Sequence, residues 1–94
     1  MAFSAHKTEM TRMQVARFAE ETLNAFLSGQ EKAYAVRYVM DEVRANFGGE
    51  ALSLGLIEAM LDSDDETLRE AYATKAVDLL NRQVRADQAD IHTR

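Results

Sequence analysis

Carboxylate side chains are the chemically active groups that this sequence places closest together. Five of them fall within nine positions, at Glu58, Asp62, Asp64, Asp65 and Glu66. Grouped carboxylates bind metal ions, imitate the phosphates of a nucleic acid, or cap the positive end of a helix. The neighbouring residues decide which of these roles the sequence favours.

A calcium-binding loop that starts at Asp62 is excluded by two of its positions. Such a loop has a glycine at its sixth position and a bidentate glutamate at its twelfth. Counted from Asp62, these positions hold Thr67 and Ala73, so the tight turn and the closing ligand are both missing. The sequence therefore predicts no metal site, and nothing in it indicates another cofactor.

Part of the acidic run has the pattern of a helix start. Ser63 precedes Glu66 by three positions, which is the spacing of a capping box, in which each side chain bonds the backbone amide of the other residue. Asp64 and Asp65 would then lie at the positive end of the helix dipole. We therefore predict that Ser63 caps the fourth helix.

Groupings that support catalysis are missing from the sequence. There is no cysteine, and neither a glycine-rich phosphate loop nor a nucleophile elbow is present. The two histidines, His6 and His92, lie near the ends of the chain, and neither has the glutamate three positions earlier that a di-iron helix pair requires. We predict that this protein is not an enzyme and has no catalytic residues.

The net charge of −5 belongs to one segment of the chain. No lysine or arginine occurs between Arg44 and Arg69, whereas the acidic residues of that interval are Glu50, Glu58, Asp62, Asp64, Asp65 and Glu66. Such a cluster steers association with a positively charged surface. We predict a partner-binding acidic patch of Glu58, Asp62 and Asp65 for a protein with a basic surface. The alternative is a solvated surface that aids solubility.

Helices must position these residues, because the chain has no proline, only four glycines, and apolar residues three or four positions apart. Its 94 residues are enough for one domain. We predict an all-α, compact four-helix single domain over residues 1–94, with flexible ends at about 1–8 and 87–94. The helices are expected at about residues 12–28, 31–47, 50–61 and 64–86, the first of them opened by a capping box of Thr11 and Gln14.

Two helices carry more apolar surface than one core needs. On the second helix, Tyr34 and Tyr38 lie opposite the apolar stripe that contains Val39. On the third helix, Leu54 and Leu61 belong to an apolar girdle that leaves only a narrow polar strip. We predict that these four residues form an interface and that the protein is a homodimer. Packing within the chain is the alternative.

The segment "ANFGGEALSLGLIEAML" resembles the phosphopantetheine attachment region of acyl and peptidyl carrier proteins. In this resemblance Ser53 occupies the position of the modified serine. It implies a small acidic four-helix carrier domain with a phosphopantetheine group on Ser53. The sequence departs from the carrier pattern at Leu52, because carriers have an acidic residue or a histidine directly before the serine.

A helix-turn-helix DNA-binding regulator, built from the third and fourth helices across "DSDD", is the second alternative. A recognition helix brings basic or amide side chains to the groove from its first turns. Here the first turn contains Asp64, Asp65 and Glu66, which phosphates repel. Direct nucleic-acid binding is therefore the less favoured interpretation.

The remaining interpretation is a small acidic helical protein that acts through protein–protein binding, as an adaptor, an anti-activator or an inhibitor of a macromolecular machine. The segment "MAFSAHKTEM" lacks the apolar region of a secretory signal, and no apolar run is long enough to span a membrane. The lack of cysteine fits a reducing compartment. We therefore expect a cytoplasmic protein that does not bind membranes.

Overall fold

A computed structural model describes residues 10–92 of the chain, with side chains as far as Ala89. This part of the chain contains four helices. They are α1 (Arg12–Leu27), α2 (Ala33–Phe47), α3 (Leu52–Asp62) and α4 (Glu66–His92). These residues contain no strand. The predicted all-α four-helix domain is confirmed.

α1 begins at the predicted capping box. The hydroxyl of Thr11 accepts a hydrogen bond from the backbone amide of Gln14 at 3.1 Å, and the Gln14 side chain accepts one from the Thr11 amide at 2.8 Å. Two amides that a helix start leaves free are thereby bonded. The helix ends at Leu27, and Gly29 follows with a φ of +83°, which glycine adopts without steric cost.

The other three helices begin two residues later than predicted, and α4 continues six residues beyond its predicted end. Before α2, the amides of Gln30 and Glu31 donate to the carbonyl of Ala25, so these two residues belong to the turn that closes α1. The predicted flexible segment 1–8 lies outside the described residues. The predicted flexibility of residues 87–94 stays a prediction, because the helical conformation of residues 87–92 does not reveal how much they move.

α1 runs antiparallel to α2 and to α4. Arg12 at the start of α1 contacts Asn46 at the end of α2, and Phe18 further along α1 contacts Tyr38 further back on α2. Arg12 also contacts Asp87, near the end of α4. α1 packs on α2 and α4, and α3 packs on the same two helices, so the four helices enclose one core.

The core consists of apolar side chains that recur three or four positions apart on all four helices. The predicted stripe of the second helix faces the core: Val36, Val39, Met40 and Val43 are buried, and Phe47 is half-buried against them. Leu23 of α1, Ile57 of α3 and Leu80 of α4 are also almost fully buried. None of the helices within residues 10–92 has both the length and the apolarity that crossing a membrane requires.

Candidate interaction surface

Glu58 and Asp62 lie one turn apart on the exposed side of α3. The opposite side of this helix carries the buried Ile57 and Met60, so helical periodicity directs the two carboxylates away from the core. Both are exposed, and neither takes part in an ion pair within the described residues. Their negative charge therefore faces solvent with no nearby positive side chain bonded to it.

Asp65, the third predicted residue of the acidic patch, is exposed and caps α4. One oxygen of its carboxylate accepts hydrogen bonds from the amides of Thr67 at 2.8 Å and Leu68 at 3.1 Å. The prediction that Ser63 caps this helix is therefore wrong. Ser63 instead accepts a hydrogen bond from the Asp65 amide at 3.1 Å, and Glu66 is the first residue of the helix.

Arg69 holds the acidic turn in place, a role that the sequence did not reveal. Its Nε donates a hydrogen bond of 2.6 Å to the carbonyl of Ser63, and its guanidinium lies 5.5 Å from the ring centre of Phe26 on α1. The side chain thus connects the turn before α4 to α1. The available sequence signal was that Arg69 is the first basic residue after the acidic run.

Tyr34 and Tyr38 lie on the outer side of α2, as predicted from helical periodicity. Tyr34 is 72% exposed and Tyr38 is 44% exposed. The rings of Tyr38 and Phe18 pack edge to face, with their centres 5.5 Å apart. This contact between α1 and α2 explains why Phe18 is apolar although it lies off the main apolar stripe of α1. Tyr34 is the more exposed of the two tyrosine rings.

Leu54 and Leu61, the other two predicted interface residues, are covered within the chain. Leu54 is only 8% exposed and belongs to the core, and Leu61 is half-buried against it. The apolar girdle of α3 is thus largely covered by α2 and α4. Leu52, at the start of α3, is the member of the girdle that stays open, with 76% of its surface exposed.

A groove between α1 and α4 escaped the sequence analysis. Its volume is about 700 Å³, and it is lined by Asn24, Leu27, Thr67, Glu70, Ala71, Thr74, Lys75 and Asp78. Leu27, Thr67 and Glu70 also line an adjoining pocket of about 280 Å³, together with Glu66 and Arg69. We call the two together the α1–α4 groove. The sequence signal was the small residues Ala71 and Thr74 on the exposed side of a long helix.

Ser53, the residue that the resemblance to carrier proteins singles out, is buried in the first turns of α3. Only 2% of its surface is exposed. A modifying enzyme must reach the serine hydroxyl to attach a phosphopantetheine group. In this conformation the hydroxyl is not accessible, so the geometry does not favour a carrier function.

The hairpin of α3 and α4 also differs from a DNA-binding helix pair. Leu52 and Leu80 line one small pocket, of about 210 Å³, whereas Ser63 at the other end of α3 bonds Arg69. The two helices therefore lie side by side and antiparallel, whereas a helix-turn-helix crosses at about 90–120°. The first turn of α4 is acidic at Glu66, which phosphates repel.

Metal-binding clusters are not found among the described residues. Aspartate and glutamate side chains form no cluster there that could hold a metal ion.

Comparison with known proteins gives no matching family model, no matching curated protein and no matching solved structure.

Proposed function

We propose that this protein is a non-catalytic binding protein that docks on a basic surface of another protein. The observation that carries the proposal is the acidic patch, in which Glu58, Asp62 and Asp65 are exposed and form no ion pair within residues 10–92. An uncompensated charged surface speeds association with a surface of opposite charge. An adaptor, an anti-activator or an inhibitor of a macromolecular machine works in this way.

A second contact surface is proposed on α2, around Tyr34 and Tyr38. Tyrosine combines a large apolar ring with a polar tip and is enriched at protein interfaces. Tyr34 is 72% exposed, so most of its ring is free to be buried by another molecule. We propose that this face joins two copies of the chain around a twofold axis.

The acidic patch is tested with the double variant Glu58→Lys and Asp62→Lys. The parent protein is immobilised, the proteins that it captures from a cell lysate are identified by mass spectrometry, and the association rate of the main purified partner is measured. Charges at the rim of an interface act mainly on association. We expect the double variant to capture this partner roughly tenfold more slowly at low salt and to depend less on salt concentration.

The matched control is the double variant Glu21→Lys and Glu31→Lys. It changes the net charge by the same amount at two exposed positions outside the acidic patch. The proposal predicts a much smaller effect for this control. Equal slowing by both double variants would show that only the total charge matters, and association as fast as that of the parent would leave the acidic patch as plain solvated surface.

A further inference from the structure

We infer that the α1–α4 groove is a docking site for an amphipathic helix of a protein partner, whose lysine or arginine side chains point to the groove end at Glu66 and Glu70. This inference goes beyond the acidic patch, because Glu58 and Asp62 lie on α3, which does not line the groove. It rests on the proposed function only in taking a protein as the partner.

The shape of the groove suits a helix. Thr67, Ala71, Thr74 and Asp78 recur at intervals of four, three and four positions, so they lie along one face of α4. Ala71 and Thr74 are exposed, and their small side chains leave a depression beside Leu27 of α1. From Glu66 to Asp78 this face is about 18 Å long, which is enough for roughly three turns of a bound helix.

The charges of the groove specify the direction of the occupant. Glu66 and Glu70 are exposed and form no ion pair in the described part of the chain. Asp78 is already paired with an arginine of its own helix. Arg69 also lines the Glu66 and Glu70 end, and its bond to the neutral carbonyl of Ser63 leaves its positive charge in place. Lys75 lies nearer the opposite end of the groove. Two carboxylates and one guanidinium still give the Glu66 and Glu70 end a net negative charge, whereas Lys75 adds positive charge toward the opposite end. The Glu66 and Glu70 end is therefore the one that complements basic side chains.

The probe is a fluorescently labelled 16-residue helical peptide with leucine along one face and lysine beside it. Binding is measured by fluorescence anisotropy, and the site is mapped by the changes in amide chemical shifts of the isotope-labelled protein. We expect the shifts to be largest along the groove, at Leu27, Ala71 and Thr74. A peptide with glutamate in place of lysine should bind at least about fivefold more weakly at low salt.

Ala71→Arg is the variant that fills the floor of the groove, and Ala86→Arg is its matched control. Both alanines are exposed on α4, but Ala86 does not line the groove. Arginine is nearly as good a helix former as alanine, so both variants should fold like the parent. We expect Ala71→Arg to weaken peptide binding by about tenfold or more and Ala86→Arg to change it by less than about twofold.

Three results would overturn the inference. They are no binding of the lysine peptide at about 1 mM, equal effects of Ala71→Arg and Ala86→Arg, and shift changes that lie on the acidic patch instead of the groove. A change from dimer to monomer with Ala71→Arg, measured by sedimentation, would show that a second copy of the chain occupies the groove. If only the double variant Glu58→Lys and Asp62→Lys lost affinity for the lysine peptide, the acidic patch would keep its proposed role. The groove would then not be the binding site.

Discussion

Arg12 and Asp87 are 75 positions apart in sequence, and their side chains meet in an ion pair of 3.2 Å that joins the start of α1 to the end portion of α4. The Arg12 Nε also donates a hydrogen bond of 2.8 Å to the carbonyl of Asn46, and its guanidinium lies 5.1 Å from the ring centre of Phe47 on α2. A single side chain therefore ties three helices together at one end of the bundle.

Arg12→Ala should lower the free energy of unfolding by about 1–2 kcal/mol, because it removes these contacts and leaves the Asn46 carbonyl without its donor. The ion pair contributes only part of this loss, since both side chains are over one-third exposed and water screens them. The measurement is chemical denaturation. Arg17→Ala, at an exposed position of the same helix, is the control, and an equal loss in both variants would contradict the three-helix role.

Asp65→Ala should cost on the order of 1 kcal/mol, because two amides at the start of α4 lose the carboxylate that accepts their hydrogen bonds. Asp64→Ala removes the neighbouring exposed carboxylate and should cost much less. Thermal unfolding of the two variants gives the comparison. A larger loss with Asp64→Ala would show that general negative charge near the helix dipole, and not the cap, stabilises this turn.

Two glycines should respond in opposite ways to alanine. Gly48 ends α2 with a φ of +99° and a ψ of 152°, a region that other residues avoid, so Gly48→Ala should destabilise the protein by about 1–3 kcal/mol. Gly55 lies inside α3 with open space where a Cβ would be, so Gly55→Ala should stabilise it by about 0.5–1 kcal/mol. The measurement is the denaturant midpoint of each variant beside that of the parent. A shift in the same direction for Gly48→Ala and Gly55→Ala would contradict this prediction.

If the face of α2 around Tyr34 and Tyr38 joins two copies of the chain, the protein should sediment as a dimer at about 100 µM, a concentration at which weak dimers form. Tyr34→Ala should shift this equilibrium to the monomer and leave the helical content unchanged, because most of the ring lies outside the chain's own core. Met13→Ala, which truncates a 46% exposed side chain on α1, should leave the dimer intact. A parent protein that sediments as a single monomeric species would remove this interface.

Local chemistry was readable from the sequence. The spacing of apolar residues predicted four helices and the buried stripe that includes Val39, and the Thr11 and Gln14 capping box is present as predicted. Such features involve residues within about one turn of each other, so short stretches of sequence contain all the atoms concerned. The exposure of Glu58 and Asp62 follows from the same periodicity.

The residue that caps a helix and the position at which a helix ends were harder to predict from the sequence. Ser63 and Asp65 are both good capping residues, and the structure uses Asp65, whose carboxylate reaches the amides of Thr67 and Leu68. The end of α4 was placed too early, at residue 86, and the next residue, Asp87, contacts Arg12 at the start of α1. Neither outcome is encoded in local propensity alone.

The sequence by itself determined the fold class, the core stripes and the segment that carries the negative charge, because these depend on residue type and periodicity along single helices. Only the tertiary structure decided that Leu54 is buried while Leu52 stays exposed, and that small residues of α4 leave a groove beside Leu27 of α1. Burial and grooves depend on which faces of different helices meet, and that pairing is set by the joint packing of all four helices around one core.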